Sequence, residues 1–416
     1  MPPTAAELWD AAVDDSVDYR PVLSLPRWVV PSPNLPAEVE VQPSNNNLAI
    51  AIHDGRLFFA WRSAPSHFAS DRTRLNVVSS ADFGHSWTFE TRVALGKDIR
   101  EPFLLSVGPR LFLYFAELGD KSYAFEPGRL WRMERLADGT WSDREPWGDT
   151  KEMAWEFKVR RGRAWVTSYR GKHYGLGPSS VEVSLRTSGD GVHWSAPGGR
   201  SSVVYRGGVS EAAFEFDSSG RLWAVMRNED GDESGFGSLL ATAPAGHPGE
   251  WSVPDRSSPN RYDSPRMFRH GRDIYVLARR EVGPAYGSSW AFLPTSVRKL
   301  FLWPAYSLRP KRTALYRLDT ERRRLVPLLD LPSAGDTAFP SIVRLDPDTY
   351  LVGNYTSPLD SADESWFRGQ VSGKGTGIYF VILRFEPTRP TPATPATLAS
   401  AAPKPQGLAV ALAPAR

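Results

Sequence analysis

One phrase recurs along this chain and restricts its fold more than any other feature: an apolar strand, a tight turn, then a second strand rich in aromatic and β-branched residues. It reads LAIAIHDGRLFFAWRS, PFLLSVGPRLFLYFAE, WEFKVRRGRAWVTSYR, AAFEFDSSGRLWAVMRNE and RMFRHGRDIYVLARRE, with a sixth copy, FPSIVRLDPDTYLVGNY, that turns through Asp-Pro-Asp. The turn glycines Gly55, Gly108, Gly162, Gly220 and Gly271 are 53, 54, 58 and 51 residues apart. In phase with them, Trp87, Trp141, Trp194 and Trp251 follow polar turns at steps of 54, 53 and 57. Two markers sharing one period define a four-stranded unit whose third and fourth strands meet at the tryptophan. A sheet of that size cannot bury both faces alone; six packed radially do so, and closure removes the exposed edges. The expected fold is all-β, a six-bladed β-propeller with four antiparallel strands per blade. The last unit lacks its own fourth strand after IYFVILRF, and residues 21–30 are expected to supply it.

The period divides the chain into an N-terminal extension (1–19), a propeller (20–386) and a Pro/Ala-rich tail (387–416) too poor in large apolar groups to fold. Residues 5–18 have the pattern of a short amphipathic helix. Within the fifth unit the step from Gly271 to Asp348 stretches to 77 residues, and the excess falls at about 284–312. That insertion is either an excursion packed on the side of the propeller or a lid or partner-docking element.

The apolar share of 41% and charged share of 23% are those of a soluble globular protein. A formal net charge of +3, with lysines and arginines scattered, leaves no footprint for nucleic acid. The chain has no cysteine, which excludes disulfides and thiolate chemistry. No apolar run approaches a membrane span, and the first residues carry no secretory pattern, so a cytoplasmic address is the default expectation. The seven histidines show no metal-ligand spacing, and neither a metal nor an organic cofactor is expected. Oligomeric state is not readable from the sequence.

In a propeller, ligands bind where innermost strands begin and second strands end, around one mouth of the axial channel. Those positions hold residues 45–47 and Arg62, Arg100 and Glu101, Glu156 and Tyr169, Glu211 and Arg227, then Asp263, Arg266, Arg279 and Arg280, and finally Asp336 and Tyr355. Converging guanidinium and carboxylate groups suit an anionic or polyhydroxylated ligand.

Two tryptophan turns carry a sharper signature. Ser80-Ala81-Asp82-Phe83-Gly84-His85-Ser86-Trp87 fits S-x-D-x-G-x-S/T-W, and Ser188-Gly189-Asp190-Gly191-Val192-His193-Trp194 is one residue shorter. The aspartate accepts N–H bonds across a tight turn, the glycine permits φ > 0, and the tryptophan packs between sheets. This turn resembles the Asp-box (BNR repeat) of the sialidase superfamily, and the resemblance covers roughly residues 20–386. It implies a glycosidase acting on carbohydrate, with the boxes on the face away from the active site.

That family uses a tyrosine nucleophile polarised by glutamate, an aspartate acid/base and three arginines on the sugar carboxylate. Resemblance maps the glutamate to Glu211, the second arginine to Arg227, the third to Arg279 or Arg280, and the acid to Asp71 in SHFASDRTRL. The tyrosine position reads Phe339, and the first arginine falls on Asn45, Asn46 and Asn47. Three readings follow: a divergent glycosidase using carboxylates for both jobs, a catalytically silent propeller binding glycan or protein, or a sialidase whose nucleophile is displaced to Tyr355, Tyr262 or Tyr169.

Overall fold

The computed structural model describes residues 9, 13–119, 121, 125–172, 174, 175, 177, 179–199, 201–360 and 363–388. Six antiparallel sheets follow one another in chain order. Their innermost strands are Ser44–His53, Ile99–Val107, Glu152–Arg160, Ala212–Phe216, Asp263–His270 and Thr337–Asp346. Each is paired by a tight turn to a second strand: Arg56–Ala64, Arg110–Leu118, Arg163–Lys172, Leu222–Asp232, Asp273–Glu281 and Thr349–Thr356. These are the two halves of the repeated phrase, and the protein is a six-bladed β-propeller. In the fourth blade the outermost position is held by two isolated bridges, Ser238 with Ser258 and Thr242 with Ser252, instead of a full strand.

Closure works as expected and starts slightly earlier. Asp18–Leu23 and Arg27–Val30 both pair with Gly377–Thr388, the third strand of the last blade. The N-terminal segment thus locks the last blade, and the final strand runs through Thr388. Of the expected N-terminal helix, residues 1–8 and 10–12 lie outside the described residues, as does the tail from 389 onward.

The tryptophan turns join third to fourth strands at the end of the sheets opposite the channel mouth. Asp82 Oδ1 accepts from the backbone of His85 (3.0 Å) and Ser86 (2.8 Å). Gly84 sits at φ 88°, and Trp87 lies buried between the first and last blades against Phe59 and Phe380. Asp190 repeats the pattern with Val192 and His193, and Trp194 packs against Tyr114, Trp147 and Phe157 between the second and third blades.

Among the described residues two α-helices interrupt the sheets, both on the mouth side. Helix α1 (Thr295–Ser307) occupies the long insertion, and α2 (Trp366–Val371) precedes the last strand, capped by Ser365 Oγ accepting from Arg368 N. Below the mouth, the channel narrows to a cavity of about 110 Å³ bordered by Trp9, Phe103, Glu156, Arg160 and Arg266. Its walls carry the buried pairs Lys158–Glu156 (3.2 Å) and Arg160–Glu215 (2.7 Å), with the Arg160 guanidinium 4.2 Å from the Trp9 ring. Among the described residues no helix is long and apolar enough to cross a membrane.

Candidate functional site

The mouth is built by a local departure from regular sheet. Five of the six inner strands shift register there, between Asn46 and Leu48, Arg100 and Phe103, Ala154 and Glu156, Asp263 and Arg266, and Ala338 and Ser341. A bulge re-aims side chains, and here it places Asn47, Glu101, Ser264 and Phe339 at φ of 43° to 52°. Non-glycine residues held in that region cost about 1 kcal/mol or more each, and such strain clusters at functional sites.

The fourth and fifth blades supply a closed ionic cluster. Arg227 reaches Glu211 through Nη1 and Glu229 through Nη2, and its Nε lies 3.3 Å from Asp263. Arg261 bonds the same Glu229 and, through Nε at 2.7 Å, Asp263. Arg279 Nη2 sits 3.2 Å from the other Asp263 oxygen, which also accepts from the Tyr306 hydroxyl at 2.6 Å. The Arg279 Nε donates to Tyr306 at 3.0 Å, and the Arg261 guanidinium lies 3.7 Å over the Tyr306 ring. All seven residues are buried. Burial works against the charge of Asp263, yet Arg227, Arg261 and Arg279 hold its carboxyl well below the ordinary range. For Glu211 burial wins over Arg227, so its pKa is raised, while its second oxygen accepts from Ser264 N at 2.7 Å.

Beside this cluster stand Glu101, Glu156, Tyr169 and Arg266, from the second, third and fifth blades. Glu101 Oε1 accepts from Asn47 Nδ2 at 3.0 Å, and Oε2 is buried without a partner among the described residues. Burial, and then the charge of Glu211, push Glu101 up to about 8. Glu156 accepts from the backbone of Phe214 (2.8 Å) and pairs with Lys158, which turns it toward the channel wall. Arg266 donates to Trp155 O at 2.8 Å and lies over the Trp155 and Phe103 rings; burial lowers its pKa, opposed by Glu156, Glu101 and Glu211. Burial, then Glu211, raises Tyr169 well above the usual phenol range.

The first, second and last blades form the third part. Asp98 anchors Arg62 (2.8 Å) and Arg100, and Arg100 donates on to His67 O at 2.9 Å. Burial and Arg100 lower Arg62 to about 10. His67 Nδ1 lies 2.6 Å from Asp336 Oδ2, while Asp336 Oδ1 accepts from Tyr355 (2.9 Å) and Trp366 Nε1 (3.1 Å). Burial depresses the imidazole, and His67 and Arg279 keep Asp336 ionised against burial. A neutral imidazole donating its Nδ1–H to a carboxylate satisfies both. His67 and Asp336 border a cavity of about 310 Å³ against α2.

The structure therefore gathers Arg62, Arg100, Glu101, Glu156, Tyr169, Glu211, Arg227, Asp263, Arg266, Arg279, Asp336 and Tyr355 around one mouth. It leaves two residues outside. Asp71 is on the exposed surface of its loop, bonded at 3.5 Å by Ser70, and it is His67 of that loop that turns inward. Arg280 alternates outward from Arg279 along the strand and pairs with Asp330 at 2.8 Å. Of the tyrosines considered for a displaced nucleophile, Tyr262 packs on Tyr316 and Tyr355 is engaged by Asp336; Tyr169 is the one near Glu211. Phe339 stacks on Tyr355 and tilts against Trp155. Sequence reasoning passed over Arg261, Tyr306, His67 and Asp98. Arg261 and Asp98 each stand two residues from a recognised mouth residue on an extended segment, so alternation alone points them the same way. Tyr306 had no such signal.

No protein-family model and no curated protein matches the chain. Among solved structures, it is similar to a protein of unknown function from Dyadobacter fermentans at TM-score 0.57 and 15% identity, over 82% of this chain and 95% of that one. It is similar to the α-L-arabinanase of Penicillium chrysogenum, solved with arabinobiose, at TM-score 0.50 and 12% identity, over 86% and 98% of the two chains. It also resembles Trypanosoma rangeli sialidase at TM-score 0.50 and 13% identity, over 82% of this chain and 55% of that one. The chain thus spans about half the length of that sialidase. At these identities the likeness is one of fold.

Proposed function

We propose that this chain is a sialidase-like glycoside hydrolase of divergent chemistry, cleaving a glycosidic bond with carboxyl groups where the superfamily uses a tyrosine. The observation that carries the reading is the contrast between Glu101 and Glu211. Glu211 is bonded through both oxygens to donors, Arg227 and Ser264 N–H, which suits a carboxylate. Glu101 has one amide donor and a buried oxygen without a partner, which suits a proton-bearing acid. Two carboxyl groups in unlike surroundings, one gripped by a guanidinium and a backbone N–H and the other half unbonded, are what an acid and a base on one site require. In this reading the Glu101 proton passes to the leaving oxygen as the C–O bond breaks. Glu211 offsets the positive charge that grows at the anomeric carbon and takes up the proton of the attacking water. Arg266 and Tyr169 border the reacting centre, and the Asp82 and Asp190 turns agree with the Asp-box resemblance.

The test is turnover of purified protein on a panel of chromogenic glycosides that includes pentosides, hexosides and sialosides. Release with at least one substrate is expected, reduced by roughly 100-fold or more in Glu211→Gln. Full activity in that variant would remove Glu211 from the mechanism. One observation favours a silent glycan-binding propeller instead: Phe339 has no oxygen and the surrounding ions are already paired. Retention on a glycan array without turnover of any substrate decides for that reading.

A further inference from the structure

The cavity of about 310 Å³ between the first and last blades has no part in the proposed bond cleavage, yet its walls are firmly built. One side is the start of the first blade and the loop 65–68; the other is Asp336 and the segment 369–376, which leads from α2 into the last strand. A Cβ on Gly369 would collide with Asp336 N, and one on Gly375 with Pro43 O, so that segment is pressed against both blades. Thr376 ties it down, donating from N to Pro43 O at 3.0 Å and accepting from Asn45 N at 2.9 Å. The loop 65–68 is held from the mouth, where Arg100, the chain neighbour of Glu101, donates to His67 O at 2.9 Å. That loop connects the cavity to the residues beside Glu101.

His67 is the group in this wall with bonding capacity to spare. Asp336 is fully engaged: His67 Nδ1 lies 2.6 Å from one oxygen, and Tyr355 and Trp366 Nε1 donate to the other. With the proton on Nδ1, the ring's Nε2 is left as a hydrogen-bond acceptor. It has no partner among the described residues, and the side chain, which lines the cavity, keeps 16% of its surface exposed. Around it the lining divides in two. Pro43, Pro65 and Phe68 supply apolar surface, while Ser44, Ser66 and Gln370 supply short polar groups. A sugar ring has the same division, apolar C–H faces edged by hydroxyl groups. The volume stands at the lower end of the roughly 300–1,000 Å³ of small-molecule pockets, which suits one ring rather than a chain of them. We propose, resting on the carbohydrate reading, that this cavity is a subsite for one sugar ring of the substrate and that His67 Nε2 accepts a hydroxyl hydrogen from it.

The test is NMR on the full chain carrying isotope-labelled histidine, titrated with arabinobiose, xylobiose, cellobiose and lactose. The His67 signals are identified by their absence in His67→Gln. A disaccharide that binds is expected to shift the Nε2 resonance of His67, and to bind His67→Gln about fivefold to tenfold more weakly by calorimetry. The resonance reads contact at the ring itself, which a merely structural role for His67 would leave unmoved. A disaccharide that binds while the His67 Nε2 signal stays in place overturns the subsite and leaves the carbohydrate reading standing. Undiminished affinity in the folded variant overturns it equally, and a panel on which nothing binds ends both. Where the variant does not fold, a wild-type crystal soaked with the same disaccharide decides, by a sugar ring against His67 or a sugar bound elsewhere.

Discussion

Glu101 links stability to proton uptake in a direction opposite to most surface carboxyls. Its folded pKa of about 8 lies above the unfolded value of 4.5, so the folded protein binds the extra proton between those limits. Its contribution is complete below about pH 4.5 and is lost as pH rises through 8. Glu101→Gln should flatten the stability profile over that window and stabilise the fold above it, by up to about 5 kcal/mol, with a higher Tm there. Thermal melts across pH read this directly; an unchanged profile would mean that Glu101 ionises normally. Gly84→Ala places a Cβ at φ 88° and 2.8 Å from the Trp87 ring, and should destabilise by about 1–3 kcal/mol in a denaturant titration. At this scale the sequence was informative where a hairpin fixes geometry. Glu211 and Arg227 come from neighbouring antiparallel strands and meet because the turn between them is short. Asp71 was misleading for a related reason: a loop without periodicity gives no face, and one bend decides whether Asp71 or His67 turns inward.

Helix α1 is what seals the ionic cluster. Its Lys299 ammonium donates to the carbonyls of Gly175 and Gly177 and to Ser179 Oγ on the third blade, while Tyr306 reaches Asp263 and Arg279 on the fifth. A sugar reaching Asp263 or Arg279 therefore displaces α1. Tyr306→Phe removes two hydrogen bonds and should weaken the seal by about 1–2 kcal/mol, seen as faster amide exchange across 295–307 with the global melt little changed. Exchange as slow as in the wild type would show that the latch lies elsewhere. The insertion was evident in the sequence as a break in the period, but its position was not, since the bonds that tie it to the third and fifth blades come from residues at least 27 positions away in the chain. At the other end, deleting residues 1–30 strips the closing edge from Gly377–Thr388 and exposes its backbone. That truncation is expected to lose cooperative unfolding by circular dichroism.

Across the whole molecule, a period near 54 residues dictated six sheets because two in-phase markers admit one strand count per unit. The mouth was legible to the same extent, since ring closure brings the same two positions of every unit to one axis. What the period does not encode is how those groups pair. The asparagines of the first blade, the half-bonded Glu101 and the meeting of three arginines with three carboxylates emerge only from contacts between blades. The central claim is that this mouth cleaves a glycosidic bond with Glu101 as the proton donor. Its most direct measurement is the pH dependence of turnover, on whichever glycoside of the panel is cleaved, for the wild type and Glu101→Gln. The expected result is a rate that falls as pH rises through about 8 in the wild type and a loss of roughly 100-fold or more in the variant. A variant that keeps the wild-type rate and the same descending limb would contradict it.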